Sequence, residues 1–346
     1  MLRRVRLTNI RSYDQREFEF GPLTVLIGSN GSGKTNILEA VYAASTTTSW
    51  RTKTDSELLR WGCDAGRIEA DDVAVALSRN PYRKYFWIDG VKRSAKEVVG
   101  HLKTVLFQPD DLQLILGSPA YRRHFLNVVL AQSDREYGQD LITYRQVLLQ
   151  RNRLLKHLQD GRANESELHF WDAELVRLAD KIWAAREQFV LLANEHLPAY
   201  YRSISGDALT VTIHHQTHPA QRASFADEIG HWHSREIAAG QTLRGPHRDD
   251  LILLMDTIPV RERASRGEVR SLTIALKLVE LAFLQNSAQN SSSDVVLLLD
   301  DVMSELDASR RERLLTAVEG VQTVLTTTDL SHLPTSLEAA AQVISL

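Results

Sequence analysis

Residues 28–35, Gly-Ser-Asn-Gly-Ser-Gly-Lys-Thr, fit the pattern G-x-x-x-x-G-K-[ST] without a mismatch. No other stretch constrains the fold as strongly. The apolar run Leu23–Ile27 before it reads as a buried strand, and residues 36–42 after it read as a helix. That strand–loop–helix setting separates a phosphate-binding P-loop from an ordinary Gly-rich turn. Gly28, Gly31 and Gly33, with Ser29, Asn30 and Ser32 between them, let the backbone wrap a phosphate with its N–H groups. The helix that Asn36 continues adds a favourable dipole end. Lys34 supplies a point charge for β- and γ-phosphates, and the Thr35 hydroxyl is placed to ligate Mg²⁺.

A partner for this loop lies near the other end of the 346-residue chain. Residues 295–299, Val-Val-Leu-Leu-Leu, run into Asp300 and Asp301. A buried strand of this kind delivers Asp300 to the Mg²⁺ shell and leaves Asp301 to orient or deprotonate an attacking water. Many buried strands end in aspartate; the pairing with the P-loop is what makes the run informative. Lys34 and Asp300 are 266 positions apart, far more than a compact GTPase or small-molecule kinase needs. The expected architecture is therefore an α/β ATPase head of the ABC type built from residues 1–109 and 241–346. An α-helical region, 110–240, is inserted between them.

The insertion carries its own periodicity. Tyr137, Leu141, Tyr144, Leu148, Arg151, Leu155 and Leu158 alternate four and three apart, and Leu168, Trp171, Leu175, Leu178 and Ile182 repeat the spacing, continued by Phe189. This predicts an antiparallel helical hairpin over about 134–200, with arms of ~35 Å each; two ordinary amphipathic helices in a bundle fit equally well. Before the insertion, residues 5–13, 17–20, 73–77, 85–88 and 104–107 read as strands. His214, His215, His218, His231 and His233 cluster in sequence without a carboxylate or cysteine at ligand spacing, so no metal site is expected there.

Composition excludes several classes. No run of eighteen apolar residues is present, the N-terminal residues lack a secretory h-region, and Cys63 is the only cysteine. The expectation is a cytoplasmic protein with no membrane partner. A formal net charge of −3 means that any nucleic-acid site must be a local patch. Arginine makes up 32 of the 41 basic residues, which suits bidentate phosphate contacts and is equally what a genome-composition bias produces.

Two further motifs complete the pattern. Ser265-Arg266-Gly267-Glu268 precedes a predicted helix over 271–284 and resembles the ABC signature S-G-G-Q; Ser304-Glu305-Leu306-Asp307 resembles an ABC D-loop. In the ABC family the signature faces the γ-phosphate on a second subunit, so the resemblance implies an ATP-dependent sandwich homodimer. Taken with S-P-A-Y-R-R-H-F-L (118–126), G-P-H-R-D-D-L (245–251) and L-L-L-D-D-V-M-S-E-L-D (297–307), the whole chain resembles, in order, the RecF family of bacterial recombination-mediator ATPases related to SMC proteins. The short hairpin favours that family over SMC proper.

The resemblance implies a weak, DNA-stimulated ATPase that uses ATP and Mg²⁺ and dimerises on ATP. It further implies binding to duplex DNA at single-strand gaps, and action with RecO and RecR in loading RecA. Asp301 stands where most transporters carry glutamate, and Thr326-Thr327-Thr328-Asp329 replace a switch histidine. Gln108 occupies a plausible Q-loop position, where it would be a metal ligand. An ABC-type subunit of another system, SMC-like or transporter, and a P-loop phosphotransferase are the competing readings. DNA contacts are sought among Arg3, Arg4, Arg6, Arg11, Arg51, Arg122 and Arg123, with Arg51 equally a nucleotide contact.

Overall fold

Near-continuous apolar runs are the pattern of strands buried on both faces. In the computed structural model, which describes the chain except Lys53 and residues 218–224, 288–294 and 333–340, those runs form one parallel sheet. Its members are β3 (Leu23–Ile27), β8 (Lys103–Phe107), β12 (Val295–Leu299), β13 (Thr323–Thr327) and β14 (Gln342–Ser345), in the order β14-β3-β13-β12-β8. Both neighbours of β3 thus come from the far end of the chain. The register, Ile27 beside Thr327 and Leu299 beside Leu325 and Phe107, brings the strands' carboxyl ends together, where ligands of such sheets bind.

A second, antiparallel sheet alternates buried and exposed residues, as one covered face requires. It contains β1 (Arg4–Ile10), β2 (Tyr13–Glu19), β4 (Ala65–Ala70), β5 (Val73–Arg79), β6 (Tyr82–Ile88) and β7 (Val91–Arg93), in the order β2-β1-β4-β5-β6-β7. Helix α1 (Lys34–Thr46) packs on its covered face. From Ile37 to Thr46 every residue of α1 is buried, as expected of a helix enclosed on all sides. Val5, Leu7, Ile68, Val75 and Phe86 of the sheet join Ile37, Val41, Leu298 and Val324 in one core cluster.

The described contacts divide the chain into two units: Met1–Leu112 with Ala199–Ala208 and Ser265–Leu346, and Gln113–Pro198 with Leu209–Ala264. The expected boundary at 240/241 differs from this division. β10 (Asp250–Met255) pairs with β9 (Val211–Gln216) along six residues, and β11 (Ile258–Pro259) extends the same small sheet. Residues 241–264 therefore cluster with the second unit.

That unit also holds α2 (Pro119–Ser133), α3 (Arg135–Gln159) and the part of α4 (Leu168–Ser205) up to Pro198. Helices α3 and α4 run antiparallel, with Arg151 paired to Asp172 and Lys181 to Glu136 and Asp140. Their lengths are unequal, 25 and 38 residues, or ~38 and ~57 Å, rather than ~35 Å each. The polar interruption in the first stripe is fully buried: Arg151 meets Asp172 and Glu236 at 2.8 and 2.7 Å. Val147 rather than Leu148 fills the neighbouring core position.

Candidate nucleotide site

The P-loop joins β3 to α1 as the pattern predicts. Gly33 has φ 107°, and a Cβ there would meet Tyr13 Oη at 2.6 Å; a Cβ on Gly28 would meet Ser32 Oγ at 2.6 Å. Both positions therefore demand glycine on steric grounds. Lys34 is 8% exposed, and its Nζ donates to the carbonyls of Gly28 and Ser29 at 2.6 and 3.0 Å. That holds the ammonium inside the loop's curve.

The long-range prediction is met at atomic contact. Thr35 Oγ1 donates to Asp300 Oδ1 at 2.8 Å, across 265 positions of sequence. Thr326 Oγ1 donates to the same oxygen at 3.1 Å and accepts from the Asp301 N–H at 2.9 Å. Burial pushes the Asp300 carboxyl up from its ordinary range, while the hydrogen bonds from Thr35 and Thr326 and the charge of Arg51 pull it back. Asp301 sits at φ 53°, a left-handed conformation that aspartate tolerates better than most residues. Asn30, Gly31, Gly33, Lys34, Thr35, Asn36, Arg51, Asp301 and Thr326 line a cleft of about 280 Å³.

Arg51 belongs to this cleft. Its Nη1 donates to Asn36 Oδ1 at 2.9 Å and to Glu39 at 3.2 Å, and the fully buried Glu39 carboxylate also takes Arg11 and Ser49. Thr326, Glu39 and Tyr13 were not singled out from sequence. Only Thr326 carried a signal, its place where a switch histidine would stand. Two buried hydroxyl oxygens at the loop, Tyr13 Oη and Ser32 Oγ, have no hydrogen-bond partner among the described residues. A bound anion would satisfy such groups.

The other predicted residues lie elsewhere. Gln108 lines a separate, smaller cavity with Leu112, Thr273, Arg270 and Glu305, one residue past Phe107, whose carbonyl accepts from the Asp300 N–H at 2.9 Å. Ser265 caps α5 (Arg266–Asn286), with its Oγ accepting from Glu268 N–H and Glu268 answering at the Ser265 N–H. The helix thus begins five residues earlier than the expected 271, and Arg266, Gly267 and Glu268 form its exposed first turn. Ser304 Oγ donates to the Asp301 carbonyl at 2.8 Å, and Asp307 caps the helix Ala308–Ala317.

Most of the candidate DNA-contacting arginines are already engaged. Arg122 is 2% exposed and holds Asp250 through two bonds of 2.6 and 2.8 Å. Arg11 is bidentate on Glu39 at 2.6 and 2.8 Å. Both guanidiniums are committed to these carboxylates, Glu39 fully buried and Asp250 half-buried. Arg4 and Arg6 pair with Glu17, and Arg123 donates to the Asp249 carbonyl at 2.7 Å. Arg3 has no side-chain partner among the described residues. His215 and His233 serve buried carboxylates, Asp249 and Asp172; His218 lies outside the described residues. Among the described residues, no group of three or more His, Cys, Asp or Glu could hold a metal ion.

Known proteins share this chain's sequence and fold. The family described as RecF/RecN/SMC N terminal domain matches residues 1–344. The chain is 35% identical to the DNA replication and repair protein RecF of Moorella thermoacetica over 97% of this chain and 92% of that one. It is 36% identical to the protein of the same name from Chloroflexus aurantiacus, over 97% and 95%. A solved structure of the recombination mediator protein RecF with ATP, of the RecFOR pathway, superposes at TM-score 0.87 with 27% identity, covering 96% of this chain and 93% of that one. The Smc head domain of Pyrococcus furiosus shares the fold at TM-score 0.53 and 16% identity.

Proposed function

The chain belongs to the RecF family of DNA replication and repair proteins, and from that premise we propose that it is an ATP-switched DNA clamp of recombinational repair. ATP would enter the cleft with its β- and γ-phosphates against Lys34 and the P-loop amides. The observation that carries this reading is the Thr35–Asp300 contact of 2.8 Å. It sets a hydroxyl and a carboxylate oxygen side by side at the phosphate loop, the hard donor pair that suits Mg²⁺ shared with nucleotide phosphates. Mg²⁺ held there would neutralise phosphate charge. Asp301, projecting into the cleft beside Thr326, would hold and deprotonate the attacking water, and Arg51 would add positive charge at the phosphates.

Ser265 and the first turn of α5 would reach the γ-phosphate of a second copy, with Ser304 and Asp307 at the same interface, so ATP drives dimerisation. The homodimer would bind duplex DNA at single-strand gaps, hydrolyse ATP weakly under DNA stimulation, and help RecO and RecR load RecA in the cytoplasm. Relatives carrying the same names and a RecF–ATP structure support this reading. No described helix is long and apolar enough to cross a membrane.

Asp301→Asn tests it. The substitution keeps the left-handed backbone acceptable, removes a base and spares the Mg²⁺ ligands. Turnover should fall by about 10²-fold or more, while light scattering with ATP shows a persistent dimer. A strictly monomeric variant beside an ATP-dimerising wild type would refute the assigned role.

A further inference from the structure

Helix α1 leaves the phosphate loop with Thr35, Asn36 and Glu39 three and four positions apart, which places them on one face. Thr35 and Asn36 line the nucleotide cleft; Glu39, one turn further on, is fully buried behind them. A carboxylate offers about four acceptor sites, and those of Glu39 are all taken. Arg11 fills two, with Nε on Oε2 at 2.8 Å and Nη2 on Oε1 at 2.6 Å. That bidentate grip already supplies the counter-charge a buried carboxylate requires. The other two donors are Ser49 Oγ and Arg51 Nη1, both from the segment that follows α1. Ser49 Oγ passes the hold on by accepting from the Arg51 backbone N–H at 3.0 Å, and Asn36 Oδ1 accepts from Arg51 Nη1 at 2.9 Å. Half of a buried carboxylate's capacity thus goes to the segment that carries one half-exposed arginine. The other donors of that guanidinium, Nε and Nη2, make no hydrogen bond to the described residues.

We propose that Glu39 is the positioning residue for Arg51. Its carboxylate, neutralised by Arg11, pins one edge of the Arg51 guanidinium at the lip of the cleft and leaves the other edge for the nucleotide phosphates. The inference rests on the ATPase reading above and assigns the device that holds one of its cations. A long side chain on a surface segment samples many rotamers and loses that freedom when it grips a phosphate. Tied to Glu39, Asn36 and Ser49, Arg51 has lost it during folding, so its donors meet the phosphates already in place. Arg11 is what lets the charge survive. Without Arg11, Glu39 would cancel the field of Arg51; with it, the three side chains keep one net positive charge at the cleft.

The test is a double-mutant cycle on the full chain, read as turnover of ATP with Mg²⁺ and gapped duplex DNA. Arg51→Ala should lower kcat/KM by about 10²-fold or more. Glu39→Gln should lower it by roughly 10- to 100-fold. In the Arg51→Ala background, Glu39→Gln should add less than about twofold, since a residue acting through Arg51 has nothing left to hold. Ser49→Ala, which keeps the Glu39–Arg11 pair, should give a smaller loss that also vanishes beside Arg51→Ala; it carries the test if Glu39→Gln does not fold. Wild-type turnover in both Glu39→Gln and Ser49→Ala overturns the assignment. So does a loss of equal size in either background, the mark of a residue that only holds the fold. Wild-type turnover in Arg51→Ala, beside an inactive Lys34→Ala, overturns this inference and leaves the ATPase reading standing. Wild-type chain that hydrolyses no ATP overturns that reading and the inference with it.

Discussion

Two polar clusters in this chain are made from the same residue types and end in opposite states. In the first unit, Lys34, Thr35, Arg51 and Asp301 line a cleft of about 280 Å³, and Thr35 holds Asp300 by a hydrogen bond. In the second unit the segment 245–251, just as dense in charge, is consumed by its own neighbours. Asp249 takes Trp183, Arg186 and His215 on one carboxylate oxygen, and Asp250 takes Arg122. His247 Nε2 donates to the Thr242 carbonyl at 3.1 Å, which leaves Nδ1 to accept from Tyr144 at 2.7 Å. Burial then drives this ring to about 4, neutral at physiological pH. The difference is not polarity but occupancy. The segment in the second unit is buried among its own unit's side chains, although Asp249 Oδ1, Arg186 Nε and His215 Nδ1 have no hydrogen-bond partner among the described residues; the first cluster borders a cleft that a ligand can enter.

Removing a charge should therefore have opposite consequences in the two places. Lys34→Ala should abolish nucleotide binding in a fluorescent-analogue titration, since no other cation is enclosed by the loop, and should leave the melting temperature near wild type. Wild-type affinity would remove the P-loop from the account. Asp249→Ala strands Arg186 and should cost about 3–5 kcal/mol in chemical denaturation, while folded protein still binds nucleotide. Unchanged stability would mean that the buried network is not what fixes the second unit.

Ser265→Arg sharpens the contrast at an exposed site. Monomer ATP binding should persist, and ATP-driven dimers should weaken by roughly 2 kcal/mol or more, measured by sedimentation. Weaker nucleotide binding in dilute monomer would contradict the sandwich geometry.

The smallest effect comes from a third cluster inside the first unit. Glu280 is buried against Lys277, and burial raises its carboxyl to about 7, with Lys277 opposing and Asp111 adding to the rise. A carboxyl whose folded value lies above its unfolded one, ~4.3, contributes stability below the unfolded value and loses it as pH rises toward about 7. The melting temperature should fall across that window. Glu280→Gln should flatten the slope, with Asp111, also raised by burial, retaining the rest; an unaltered slope would clear Glu280 of the effect.

What could be read in advance follows from locality. The P-loop and β12 are local patterns and stand where the sequence put them, and the helical stripes form two antiparallel helices, though of unequal length and with Val147 rather than Leu148 in the core. The Thr35–Asp300 pairing was legible because two motifs are incomplete without each other. Tyr13 was not, since it reaches Gly33 only through sheet packing, and no sequence pattern marks that approach. β14, with half of its residues exposed polar ones at an edge, lacks an apolar run. The arginines misled because charge type says nothing about whether a carboxylate waits nearby. Arg11 and Arg122 have such partners; Arg83 and Lys92 have none among the described residues.

The order of the parallel sheet has a consequence for the protein's birth. β3 is flanked by β13 and β14, so the strand that leads into the phosphate loop is made early, and its partners leave the ribosome about 300 residues later. At about 5–20 residues per second, translation from Lys34 to Asp300 takes roughly 13–53 s. Throughout that interval an apolar strand has neither edge paired, the exposure that recruits chaperones and invites aggregation. The nucleotide site is thus a late product of synthesis. A chain stopped before β12 and β13 lacks Asp300, Asp301 and Thr326, and with them half of the nucleotide site.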